Sequence, residues 1–148
     1  MNALLKVLAA SASVLLLGLP AARAEVTPIH HFINLGTVGN ELTVTPTVLT
    51  LRVGETYQLI VSNPSESEHV VAAPELVATT TTTGLLTLSP TAEHSTASLT
   101  AGLPVRPGQM MEWTFMPTRE GTYKFGCDNP AHAAAGMHMR IKVVGRGV

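Results

Sequence analysis

The sequence has a single cysteine, Cys127, among 148 residues, and it is poor in aromatic residues (4%) and in charged residues (13%). One cysteine excludes an internal disulfide. The absence of a basic excess argues against a nucleic-acid groove or a surface for anionic membranes. We find no acid–base pair, no nucleophilic triad and no metal site with an open position for substrate, so we do not expect an enzyme.

The first 24 residues have the features of a secretory signal peptide. Lys6 precedes an apolar run over residues 7–19, and the small-residue cleavage motif Ala22-Arg23-Ala24 follows. An uncleaved membrane anchor is the alternative, but a membrane-spanning helix needs about 20 apolar residues. We expect cleavage near Ala24 and a mature protein that is periplasmic or secreted, with no membrane span.

Residues 25–148 are expected to form one domain. This part of the chain contains 7 basic and 10 acidic residues, for a net charge of −3. Exported proteins fold where thiols are oxidised, and small exported domains usually use cysteines in pairs. Cys127 therefore has three interpretations: a bridge to another chain, a buried bystander, or a thiolate held by a metal.

Short β-rich segments separated by turn residues dominate the mature sequence, and no segment has a convincing helical period. This pattern predicts an all-β fold, an antiparallel sandwich, in which Trp113, Tyr123 and Phe125 belong to the core. A threonine-rich stretch over residues 78–100 lacks apolar alternation and is interpreted as a long surface excursion. The predicted strands are Glu41–Val53, Thr56–Ser62, His69–Ala73, Met110–Met116, Gly121–Cys127 and Met137–Val144.

The neighbours of Cys127 favour the metal interpretation. His132 follows it by five positions and Met137 follows His132 by five more, within a tight loop between two predicted strands. A thiolate, an imidazole and a weak thioether suit a copper ion that changes between Cu(I) and Cu(II). A type 1 copper site needs a second imidazole, and His69 is the best source because it opens a strand after a turn.

The whole mature chain resembles the cupredoxin family, the blue copper proteins. The matching residues are Gly54-Glu55, Asn63, His69, Pro107-Gly108 and the motif Gly121 to Met137. With four residues on either side of His132, the ligand loop looks most like that of rusticyanin-type members. The resemblance implies a Greek-key sandwich of about seven or eight strands. It also implies one type 1 copper at one end, bound by His69, Cys127, His132 and Met137.

The sequence departs from the family pattern after the first ligand. Relatives usually have Asn or Ser there, whose side chain ties the two ligand loops together, whereas this chain has Val70. We therefore predict weaker support around the Cys127 sulfur. Met139 competes with Met137 as the axial ligand and is interpreted as core, and His138 is expected on the surface.

Three further histidines lie outside this set. His30 and His31 are adjacent, so on a strand they point to opposite faces and do not chelate together. A second, weaker metal site there is an alternative to a purely structural role. His94 lies in the threonine-rich stretch and is expected to be solvated.

The resulting hypothesis is a monomeric one-electron carrier. Its partner would be a redox protein such as a c-type cytochrome or an oxidase, and the electron would leave through His132, among small apolar residues. The alternative is a copper-binding or chaperone protein for copper resistance or delivery. The methionines Met110, Met111 and Met116 keep that alternative open.

Overall fold

The computed structural model describes residues 26–88 and 99–146. The expected signal peptide and His94 lie outside the described residues. Within those ranges, no helix has the length and apolar character needed to cross a membrane.

Two five-stranded sheets face each other. Sheet A has the strand order β2-β1-β4-β8-β6 and sheet B the order β3-β10-β9-β5-β7. The strands are β1 (Ile29–Thr37), β2 (Asn40–Thr45), β3 (Val48–Arg52), β4 (Tyr57–Ser62), β5 (His69–Ala72), β6 (Thr80–Leu88), β7 (Leu103–Val105), β8 (Met110–Pro117), β9 (Gly121–Cys127) and β10 (His138–Val144). The short helices are α1 (Pro74–Val77) and α2 (Pro130–Ala134).

The all-β sandwich is confirmed, but it is not purely antiparallel as expected, since β1 pairs with β4 and β3 pairs with β10 in parallel. The described residues form ten strands, where seven or eight were expected, and two short helices, where none was expected. The predicted strand Glu41–Val53 is two strands in different sheets, β2 and β3, because the chain turns at Pro46. The threonine-rich stretch begins as a strand, β6, which pairs with β8 over its whole length.

The core lies between the two sheets. On β8, buried Met111, Trp113 and Phe115 alternate with half-buried residues, which is the period of a strand with one face covered. The Trp113 and Phe115 rings stack with centroids 4.0 Å apart. From sheet B, Tyr123 and Phe125 add two further buried rings. All three aromatic residues predicted to be core are therefore buried, and their apolar area contributes strongly to stability.

The ordering of the strands brings several chain segments to one end of the sandwich. Strand β9 ends there at Cys127, and β10 begins there and runs antiparallel to β9. Strand β5 also begins there, at His69, and lies on the other side of β9. The predicted ligands therefore come from neighbouring strands of sheet B and from the loop that joins β9 to β10.

Candidate metal centre

Backbone pairing between β5 and β9 places the first two candidate ligands side by side. Val71 and Cys127 are partners in the antiparallel ladder, and His69 lies two residues before Val71. Both ligand side chains are buried, with His69 at 0% and Cys127 at 1% exposure. A lone cysteine at this position is therefore a shielded thiol that faces an imidazole.

The loop after Cys127 folds back through a single helical turn. Asn129 caps α2 by accepting a hydrogen bond from the backbone N–H of Ala131, and Pro130 occupies the first turn, where its missing N–H costs nothing. Two further bonds close the loop. The Met137 N–H donates to the His132 carbonyl and the Cys127 N–H donates to the Met137 carbonyl, both at 3.0 Å.

This closure turns the His132 ring towards the other two side chains. Its Nδ1 lies 3.5 Å from the Cys127 Sγ and 3.3 Å from the His69 Nδ1. One donor atom from each of the three residues lies within 4.8 Å of the others. Atoms that ligate one transition-metal ion at about 2.0–2.3 Å are separated from each other by roughly 3–4 Å. The three side chains thus share a centre of suitable size.

The donor chemistry fits copper. Two imidazole nitrogens and a sulfur converge in a largely buried space. A soft cation satisfies all three at once. Burial lowers the pKa of His69, the nearby His132 lowers it further, and Glu41 acts in the opposite direction. A lowered pKa keeps the imidazole neutral, which is the form that binds a metal.

Met137 is the predicted fourth ligand. It is fully buried and directly precedes β10, and Gly136 before it has a positive φ of 86° that favours glycine. Met139 is also fully buried but pairs with Phe125 inside sheet B, and His138 is exposed. These placements agree with the interpretation of Met139 as core, and the assignment of Met137 as axial ligand stays a prediction.

A buried polar network supports His69, and sequence reasoning missed it. The Ser65 Oγ lies 2.9 Å from the His69 Nε2 and 2.7 Å from the Asn63 Oδ1. Asn63 in turn donates to the carbonyls of Ser67 and Val105 at 2.7 and 2.8 Å. With a proton on Nε2, His69 donates to Ser65 and Ser65 donates to Asn63, which leaves Nδ1 free for the metal.

The network explains why Asn63 and Ser65 lie in the turn after β4. Asn63 and Ser65 are 1% and 3% exposed, so each needs internal partners. Asn63 belongs to the motif that resembles the family, but the role of the serine depends on a contact across the turn. The serines preceding His69 in the turn Asn63-Pro64-Ser65-Glu66-Ser67 were the only available signal.

The side chain of Val70 cannot hydrogen-bond between the two ligand loops, and a backbone hydrogen bond partly takes over this role. The Asp128 N–H donates to the Val70 carbonyl at 2.7 Å, directly after Cys127. Gly126 allows the two strands of the ligand loop to approach closely, because an added Cβ would lie 2.6 Å from the His138 Cα and from the Met137 carbonyl oxygen. The loops are therefore joined by main-chain contacts.

The other candidate groups do not gather into a site. His30 is exposed, and the half-buried His31 stacks on Tyr57 with ring centroids 5.8 Å apart. Among the described residues, the His, Cys, Asp and Glu side chains form one cluster that could hold a metal, and neither histidine belongs to it. Of the methionines on β8, Met111 is buried in the core, while Met110 and Met116 lie at opposite ends of the strand.

Comparison with known proteins agrees with this geometry. The family model described as copper binding proteins, plastocyanin/azurin family, matches residues 33–144. No curated protein matches the chain at a significant level of sequence similarity. The solved structures that match share the fold at low sequence identity.

Two of these structures are auracyanins of photosynthetic bacteria. Reduced auracyanin from Roseiflexus castenholzii is 21% identical, with a TM-score of 0.54 over 81% of this chain and 99% of its own. Auracyanin A from Chloroflexus aurantiacus, a "blue" copper protein, is 20% identical, with a TM-score of 0.54 over 80% and 100%. A multicopper oxidase from Campylobacter jejuni is 13% identical, with a TM-score of 0.60 over 84% of this chain but 31% of the oxidase. This chain therefore corresponds to about a third of the oxidase.

Proposed function

Because the chain belongs to the plastocyanin/azurin family of copper-binding proteins, we propose that it is an exported one-electron carrier. In this proposal His69, Cys127, His132 and Met137 hold one type 1 copper. The bound copper would supply a one-electron couple between Cu(I) and Cu(II). The resemblance of the ligand loop to rusticyanin-type proteins remains a prediction.

The main support is the convergence of three donors in a site with little access to solvent. His69, Cys127 and Met137 are each at most 1% exposed, and only His132 is partly exposed. Four protein ligands leave no position for a substrate, in contrast to a catalytic metal site with an open position. The buried network from Asn63 through Ser65 holds one imidazole in a fixed orientation. Such a site favours transfer of an electron over chemistry on a bound molecule.

The surroundings of His132 suggest where a redox partner docks. Pro130, Ala131, Ala134 and Ala135 around it are exposed, and all have small apolar side chains. A surface of small apolar side chains sheds water easily when it meets another protein. We infer that the partner, a c-type cytochrome or an oxidase, contacts this surface and that the edge of His132 is the point of exit.

An optical and electrochemical experiment on the copper-loaded mature protein tests the proposal. We expect one copper per chain, an intense visible band from the Cys127 thiolate, and reversible one-electron voltammetry. Colourless copper-loaded protein whose thiol reacts freely would contradict the type 1 assignment. Rapid loss of Cu(I) to a modest chelator, with poor electron transfer, would instead support the copper-handling alternative.

A charged side chain beside His132 tests the docking surface. Ala134→Lys places a hydrated charge in an apolar contact, so the rate of electron transfer with a cytochrome should fall while the spectrum and potential stay near those of wild type. Ala78→Lys is the matched control, since Ala78 is exposed at the far end of the sandwich, where Thr118 pairs with Thr79. Equal rates for the two variants would refute docking at His132.

A further inference from the structure

Charged residues are segregated between the two sheets. The strands of sheet B contain Arg52, Lys124, Arg140 and Lys142 and no Asp or Glu, whereas the strands of sheet A contain acidic residues and no Lys or Arg. These four basic side chains are exposed, although the expected mature chain has a net charge of −3. One face of an acidic protein is therefore cationic. We call the solvent-facing side of sheet B the basic face.

The arrangement on the basic face works against stability. Lys124 and Arg140 are direct partners across the β9–β10 ladder, and like charges placed opposite each other repel. Lys142 follows on the same side of β10, about 7 Å from Arg140 along the strand. The ion pair found among the described residues, Arg106 with Glu68, is elsewhere. The three cations thus lie within one Debye length and are not neutralised by a carboxylate within 4 Å in the described chain.

The basic face also has a cavity, which lies at the Cys127 end of β9. It has a volume of about 200 Å³, and Gly126, Cys127 and Lys124 are among the residues that line it. Glu75 and Asp128 form part of its rim. A uniformly anionic lipid surface lying on the face would be repelled by those two carboxylates. A protein can match both the cations and the acidic rim, and can place a side chain in the cavity.

We propose that the basic face is a second docking surface, distinct from the apolar surface around His132, and that its partner is a protein with a cluster of surface carboxylates. The charge complementarity is local and does not follow from net charge. Residue Lys124 is three positions from Cys127 on β9, so a protein bound here approaches the metal centre from the side of the thiolate. The proposal holds whether or not copper is bound.

Binding to cytochrome c in two charge states provides the test. The isotope-labelled mature protein, with and without copper, is titrated with cytochrome c whose lysines have been succinylated, which makes its surface acidic. We expect amide shifts on β9 and β10 around Lys124, Arg140 and Lys142, and weaker binding as salt is raised to about 0.15 M. Unmodified cytochrome c, which is basic, should not shift these amides. Shifts restricted to the His132 loop would overturn the proposal.

Charge reversal gives a matched pair of variants. Arg140→Glu should weaken binding of the acidic probe about tenfold without lowering the unfolding midpoint, because the new carboxylate faces Lys124. Arg119→Glu makes the same change of charge in the turn before β9 and should leave binding nearly unchanged. Equal effects of the two would overturn the proposal. Binding to phosphatidylglycerol vesicles without binding to the acidic protein would also overturn it, in favour of a membrane surface. The optical spectrum of each variant reports on the proposed copper site separately.

Discussion

Replacing Ser65 with alanine would remove one hydroxyl from the buried network behind His69. The Ser65 Oγ is the partner of the His69 Nε2 at 2.9 Å, and His69 is fully buried, so water cannot take its place without rearrangement. Asn63 would keep the bond that its Oδ1 accepts from the Ser65 N–H at 3.0 Å. The group left without a partner is therefore the His69 ring N–H.

The loss of stability follows from leaving this one buried N–H donor without a partner. A buried polar group without a partner costs about 1–3 kcal/mol, so we expect the free energy of unfolding of the copper-free protein to fall by about 2 kcal/mol. Loss of a group that orients a metal-binding imidazole typically lowers metal affinity about 10–100-fold. The visible colour should remain, because no ligand is removed, but the potential should shift as the imidazole gains freedom.

Denaturant unfolding and competition with a copper chelator measure the two effects. Ser67→Ala is the matched control, since it makes the same change two residues away, and the Ser67 hydroxyl donates to Glu41 and does not contact His69. We expect Ser67→Ala to keep the copper affinity of the wild type. Wild-type affinity and wild-type stability in Ser65→Ala would refute the idea that the hydroxyl orients this ligand.

Two further predictions concern the ligand loop. Met137→Leu should keep copper and colour but shift the potential, because a weak axial thioether tunes the site more than it anchors the metal. Met139→Leu should leave the potential nearly unchanged. Voltammetry of both variants would show the reverse if Met139 were the ligand. Gly126→Ala should destabilise the protein by about 1–3 kcal/mol in thermal unfolding, since the new Cβ would meet backbone atoms 2.6 Å away. Gly84→Ala is the control and should be tolerated, because the nearest atom to its Cβ would be 3.9 Å away.

Local patterns were sufficient for the parts of the fold that carry their own signal. Strand β9, Gly121–Cys127, has the predicted bounds because its apolar alternation and its flanking turns agree. The candidate ligand loop has a similar local signal, since three donors of distinct chemistry lie within eleven consecutive residues. His69 was harder, and the requirement for a second imidazole identified it. In the structure, the Nδ1 atoms of His69 and His132 are 3.3 Å apart.

Other features depend on partners that the local sequence does not reveal. Strand β6 has no apolar alternation, and its stability comes from pairing with the regular strand β8. Strand β1 was not predicted, because adjacent His30 and His31 obscure its pattern, yet it lies between β2 and β4 inside sheet A. The bond between Ser65 and His69 likewise arises only when the turn closes. Contacts of this kind are set by tertiary structure.

The position of β10 has a consequence for the order in which the protein matures. It is the last strand along the described chain, yet it lies between β3 and β9 and joins them into one sheet. A chain that emerges from a translocation channel with its N-terminus first cannot complete sheet B until residues 138–144 have emerged. The return of the loop from Cys127 to Met137 depends on the same strand. In the exported protein that we propose, the complete copper site can therefore form only after residues 138–144 have emerged.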